Sequence, residues 1–187
     1  EKTADYAQAT NQEVGSALPK YQGGFNNSFR YKNFQFSVST YFNYGNKVFS
    51  NNLRYMMNDG HEPYYNQIRL PDGAKIWSAP GDLKATEPSP QNSANSTETS
   101  SRYLKNGSYF AIRNLNFSYT LPQDWARKMA MKAVTIGATA DNVAIFTNFL
   151  GQDPQTTVTQ ASYAMPGVSD FKYPNNRQYL LNLTFNF

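Results

Sequence analysis

Tyr21–Tyr44, YQGGFNNSFRYKNFQFSVSTYFNY, is the stretch whose reading decides the fold. At period 2, Tyr21, Gly23, Phe25, Asn27, Phe29 and Tyr31 share one face, and Gln22, Gly24, Asn26, Ser28 and Arg30 share the other. After Lys32-Asn33 the alternation resumes, with Phe34, Phe36, Val38, Thr40, Phe42 and Tyr44 against Gln35, Ser37, Ser39, Tyr41 and Asn43. A two-residue loop pairs Tyr31 with Phe34 and puts both aromatic sets on one face of a hairpin. The two periodicities agree in register.

Working outward, the same signal recurs. A third strand reads from about 108 to 121, with Leu115, Phe117, Tyr119 and Leu121 alternating with Asn114, Asn116, Ser118 and Thr120. At its upper end the parity breaks: Arg113 falls on the apolar side while Phe110 and Ile112 fall on the polar one. The simplest expectation is that the strand leaves the apolar layer there. Pro122 ends it, and residues 123–131 (QDWARKMAM) predict a short helical turn. Further strands are expected at about 132–143 and 177–187, joining those at about 19–31 and 34–45.

The connections sort by length. Two links are short, whereas about 46–107 and 144–176 are long and rich in Gly, Pro, Asn and Ser. The run Thr86–Ser101, TEPSPQNSANSTETSS, is nearly low-complexity and is expected to be mobile. Short turns at one end and long loops at the other is the pattern of a transmembrane β-barrel. Each apolar run supplies the ~9–11 residues that a spanning strand needs. Carboxylates stay off the apolar faces, Arg113 being the one basic residue there, and aromatics gather near strand ends as girdles do. Five strands cannot close a barrel, and an open edge in lipid leaves backbone groups unpaired. The expected fold class is therefore all-β, with 1–187 as the C-terminal part of a larger antiparallel transmembrane barrel.

Composition narrows the function classes. The net charge of +4 is spread along the chain, without the basic stripe that nucleic-acid binding needs. With no Cys and a single His, His61, neither a thiol, a Ser/His pair nor a zinc ligand set can be assembled. No catalytic residue, metal or cofactor is expected. Asp59 and Glu62 flank His61 as ordinary solvated loop groups. Asp141, Asn142 and Asp153 match no calcium-loop spacing.

Three segments also resemble a known family. Asn106–Pro122 (NGSYFAIRNLNFSYTLP), Leu18–Val38 (LPKYQGGFNNSFRYKNFQFSV) and Asp141–Gln155 (DNVAIFTNFLGQDPQ) are similar to the closing strands of SusC-like TonB-dependent transporters of Bacteroidetes. Gln152 and Gln155 depart from the aromatic and acidic residues usual in that family. The resemblance implies a barrel of about 22 strands, plugged by an N-terminal domain on which TonB acts. It implies active import of a glycan or peptide substrate and a SusD-like surface lipoprotein as lid. The surroundings would be outer-membrane lipid and lipopolysaccharide, with no nucleic acid. Tyr179, Leu181, Leu183, Phe185 and Phe187 match the aromatic-ended strand that the family uses as a barrel-insertion signal.

Loop aromatics are the candidate substrate contacts: Tyr64, Tyr65 and Trp77 in the first long loop, and Tyr163, Phe171 and Tyr173 in the second. Flat rings stack on sugars or peptide side chains at small entropic cost, though they equally pack a loop against its neighbours. Asp153 would take a hydroxyl or amine, or cap the turn before Pro154. A passive porin and a secreted β-sandwich that binds glycan stand as the other readings of the same residues.

Overall fold

The computed structural model describes residues 6–70, 72–90, 97–160 and 163–187. Its elements in chain order are β1 (Tyr21–Tyr31), β2 (Phe34–Tyr44), β3 (Lys47–Ser50), α1 (Asn51–Met56), β4 (Leu104–Asn106) and β5 (Tyr109–Thr120). Then come α2 (Gln123–Lys128), β6 (Ala133–Thr147), β7 (Val158–Gln160), β8 (Tyr163–Met165), β9 (Val168–Ser169) and β10 (Gln178–Asn186). The five long strands form one sheet in the order β1-β2-β5-β6-β10, antiparallel throughout. Tyr31 pairs with Phe34. Lys32 takes a left-handed φ of 52°, as primed hairpin turns require at their first central residue.

Alternation gives the sheet two chemically distinct faces. One apolar row runs Phe29–Phe36–Phe117–Ala138–Leu181 across all five strands. These side chains are not covered: Phe29 is 61% exposed and Leu181 88%. A sandwich would lay a second sheet over this face; the remaining sheets, β4-β3-β9 and β7-β8, are short and belong to the long loops. Among the described residues, then, no second sheet covers this face as a sandwich requires. The opposite face is laced by side-chain hydrogen bonds: Asn114 Nδ2 donates to Asp141 Oδ1 (2.6 Å), Asn116 Nδ2 to Thr139 Oγ1 (2.8 Å) and Tyr41 OH to Gln22 Oε1 (2.9 Å).

The parity break in β5 is a β-bulge. Ser39 pairs with Asn114 and Thr40 with Ile112, so Arg113 is left without a partner on β2. On the other side Asn114 pairs with Asp141 and Ile112 with Ala144. There Asn142 adopts a φ of 51°, a conformation that asparagine tolerates better than most residues. One extra residue flips every later side chain to the other face. Ile112 and Phe110 thereby return to the apolar side, Phe110 meeting Phe146 at 6.2 Å between centroids. Arg113 lies over the Tyr41 ring, 5.6 Å from its centroid, on the polar side. Two expectations are corrected. The strand stays in the apolar layer, and Arg113 does not sit on the apolar face. β6 also continues past the expected end at 143, because Ala144 and Phe146 pair with the resumed register of β5.

The buried core lies at the long-loop end rather than in the sheet. Leu53, Met57 and Tyr103 are packed by Phe49, Ile68, Leu70 and Leu150. Ser50 starts α1, its Oγ accepting from Leu53 N. The two long loops join here: β3 pairs with β9 in parallel, Asn51 Nδ2 donates to Asp170 Oδ1 (2.8 Å) and Phe171 N to Asn52 Oδ1 (2.6 Å). Gly167, at φ 80°, sits in this joint, where a Cβ would meet that of Ala17 at 2.5 Å.

Of the run expected to be mobile, 91–96 lie outside the described residues, and both flanks are tied down. Thr86 N donates to Lys75 O (2.8 Å) and Trp77 N to Glu87 O (2.9 Å). Tyr6 OH donates to Thr99 O (2.8 Å), and Arg54 Nε donates to the Thr97 carbonyl. Polar composition gave no apolar anchor, but a tyrosine and an arginine from distant parts of the chain donate to these segments.

Candidate functional site

At the long-loop end, Asn51 and Tyr55 are four residues apart on α1 and so share one face of it. That face meets the segment after β9. A cavity of ≈ 400 Å³ opens between them, lined by Asn51, Tyr55, Tyr65, Asn66, Asp170 and Phe171. Its aromatic wall is continuous: Tyr55 stands edge-on to Tyr65 (5.7 Å between centroids) and tilted to Phe171 (5.6 Å), and Tyr64 adjoins Tyr65 at 5.0 Å. The polar wall is two amides and the Asp170 carboxylate. Flat apolar rings facing amide donors and a carboxylate acceptor make a surface for a sugar ring or a peptide unit.

The candidate residues scatter around this shelf. Tyr65 lines it and Tyr64 borders it, exposed. Trp77 stands apart, its backbone bonded to Glu87. Tyr173 is almost fully exposed. Tyr163 lies in the β7–β8 ladder opposite Gln160. Asp153 is 4% exposed, and its Oδ1 accepts from Gln155 N (2.9 Å), which closes the turn. Tyr55 and Asp170 were missed. The i, i+4 spacing of Asn51 and Tyr55 behind the Ser50 cap was the available signal for the first; Asp170 is brought in by a tertiary contact that no local pattern announces.

Beneath the shelf one cation ties the first loop together. Arg102 donates to both Asp59 oxygens (2.5 and 2.9 Å), to Glu87 Oε2 (2.8 and 3.1 Å) and to Met57 O (3.3 Å). Burial opposes its charge, but the bonds to Asp59 and Glu87 outweigh that and hold it charged well above the usual arginine range. Burial likewise pushes the neighbouring Tyr103 phenol up, partly offset by Arg102. Of the other loop groups, Asp59 is thus a structural anchor, and His61 lies 3.7 Å from Glu62. Asn142 donates to Asn176 O (2.9 Å).

No family model matches the chain. Over 183 residues, 96% of the chain, it is 28% identical to TonB-dependent receptor P3 of Formosa agariphila. It is 27% identical over 178 residues to TonB-dependent receptor P39 of the same organism. The chain is thus similar to TonB-dependent receptors. It spans about 17% of the length of each of those relatives. In fold it superposes on part of the RagAB peptide transporter with a TM-score of 0.73, at 22% identity, covering 95% of this chain and 18% of that one. The closed-closed state of the RagAB peptide importer gives 0.73 at 20% identity.

The five-stranded sheet of this TonB-dependent receptor relative is thus part of a transmembrane β-barrel, and its place is the outer membrane. The uncovered apolar face is the lipid-facing one, and the hydrogen-bonded polar face lines the lumen. Tyr179, Leu181, Leu183 and Phe185 pair with Ala140, Ala138, Ile136 and Val134, placing them on the lipid face of β10. Phe187 follows the last pair and is exposed. The relatives are receptors, a class distinct from enzymes.

Proposed function

We propose that the protein imports a nutrient, a glycan or an oligopeptide, across the outer membrane by TonB-dependent active transport. This chain supplies the closing strands of the barrel and the substrate- and lid-facing loops. The observation that carries the reading is the union of both long loops into one folded unit bearing an aromatic shelf, over a sheet whose other end has only a tight turn and α2. The names of the relatives support TonB dependence. The long-loop end faces outward, where a SusD-like surface lipoprotein closes over the bound substrate, and the turns face the periplasm. Tyr64, Tyr65, Tyr55 and Phe171 stack on the substrate as it is handed down; Trp77, Tyr163 and Tyr173 lie on the lid side. Asp153 contributes by holding the turn above the lumen. The plug and the TonB contact lie in the rest of the protein.

The reading is tested by nutrient uptake in cells carrying the full-length transporter. Inactivating TonB should abolish uptake, and Tyr65→Ala with Phe171→Ala should reduce it severalfold while the barrel stays folded. Uptake indifferent to TonB would establish passive diffusion instead.

A further inference from the structure

A second cavity, of ≈ 260 Å³, opens where β5, β6 and the start of β10 meet the loop at 152–155. It differs in chemistry from the aromatic shelf. Arg113 and Arg177 both line it, with Gln155, Asp153, Asn142 and Asn175. Neither arginine belongs to an ion pair among the described residues. The nearby polar groups are already engaged: Asp153 Oδ1 accepts from Gln155 N, and Asn142 Nδ2 donates to Asn176 O. Gln155 Oε1, in contrast, is buried and has no hydrogen-bond partner, a condition that is unfavourable when left unmet. The bulge is what brings Arg113 here. It turns the side chain onto the lumen face beside Tyr41, on a strand rather than a flexible loop.

Two guanidinium groups and one unmet acceptor specify a ligand. Guanidinium forks bind carboxylates in bidentate fashion, and Gln155 Oε1 calls for an adjacent N–H or O–H. We propose that this cavity is a subsite for a carboxylate-bearing end of the imported molecule, the carboxylate lying between Arg113 and Arg177 and a neighbouring donor reaching Gln155 Oε1. The inference rests on the import reading and deepens it: the substrate is acidic. A peptide terminus offers a carboxylate beside an amide N–H, and a uronic acid offers one beside hydroxyls.

Saturation-transfer NMR on the purified full-length transporter tests this with four small ligands: N-acetylalanine, its amide, galacturonate and galactose. At least one acid should bind, the amide and galactose should not, and Arg113→Gln or Arg177→Gln should weaken the acid at least tenfold. Binding of N-acetylalanine points to peptides and of galacturonate to glycans. Arg177→Gln leaves the bulge untouched, so the test survives a folding defect in Arg113→Gln. Absence of a signal from both acids, equal signals from acid and neutral partners, or an acid signal unchanged in both variants overturns the proposal. Uptake that depends on TonB without any acid signal would sink this subsite alone and leave import standing.

Discussion

Arg113 and Tyr41 lie on the same face of the sheet, the guanidinium carbon 5.6 Å from the ring centroid, although strict alternation along β5 puts them on opposite faces. The single residue that β5 carries beyond its partner β2 makes the difference. Were Arg113 to take a regular place in the alternation instead of bulging, Ile112 and Phe110 would turn into the lumen, and the aromatic wall that lipid requires would end halfway up the strand.

Charging Ile112 should therefore damage assembly more than replacing Arg113. The bulge keeps Ile112 and Phe110 on the apolar face, paired with Thr40 and Phe42, so Ile112→Asp sets a carboxylate against lipid, whereas Arg113 lies on the lumen face beside Tyr41. The folded, boiling-sensitive fraction of the full-length barrel should fall sharply for Ile112→Asp and stay close to normal for Arg113→Gln. Gel mobility of unboiled outer membranes reads both.

The two faces differ in what they tolerate. Val38, near the middle of β2, points to lipid, and Ser37 beside it points to the lumen. Val38→Arg should destabilise the barrel by about 2–4 kcal/mol; Ser37→Arg should cost little. Urea unfolding of the reconstituted protein distinguishes them, and equal costs would contradict the assignment of faces.

The loop unit should fail independently of the barrel. Leu53 is 1% exposed at the centre of its core, and Leu53→Ala should cost that unit about 2–5 kcal/mol. Limited proteolysis should then cut within 57–101 while the unboiled mobility of the barrel is unchanged.

Alkali should loosen the same unit. Burial raises the Tyr103 phenol above its ordinary value of 10.0, so the folded state favours the protonated form. The stability linked to it is intact below pH 10.0 and is lost as pH rises through the folded value. Tyr103→Phe should remove this late-titrating component from the phenolate absorbance of the transporter and flatten the loss of loop protection above pH 10.0.

The sheet was legible because two of its strands repeat without a break: Tyr21–Tyr31 and Phe34–Tyr44 each keep one parity over their whole length, and a two-residue turn leaves a single register between them. β5 was legible only to Asn114, since a bulge and a strand end look alike in one sequence; only the partners on both sides, Thr40 and Ala144, show that the strand goes on. The loops resisted for another reason. Their core depends on residues far apart in sequence, Leu53 with Tyr103, and on Arg102 gathering Asp59 and Glu87. Of the shelf, Tyr65 and Phe171 could be suspected from composition, while Asp170 enters through Asn51, 119 positions away.

The measurement that bears most directly on the whole account is an immunoblot of outer membranes with an antibody to residues 177–187, comparing unboiled and boiled samples in detergent. A band far above 21.2 kDa that changes mobility on boiling is the expected result, since these strands complete a large folded barrel. A soluble band near 21.2 kDa that boiling does not move would contradict it.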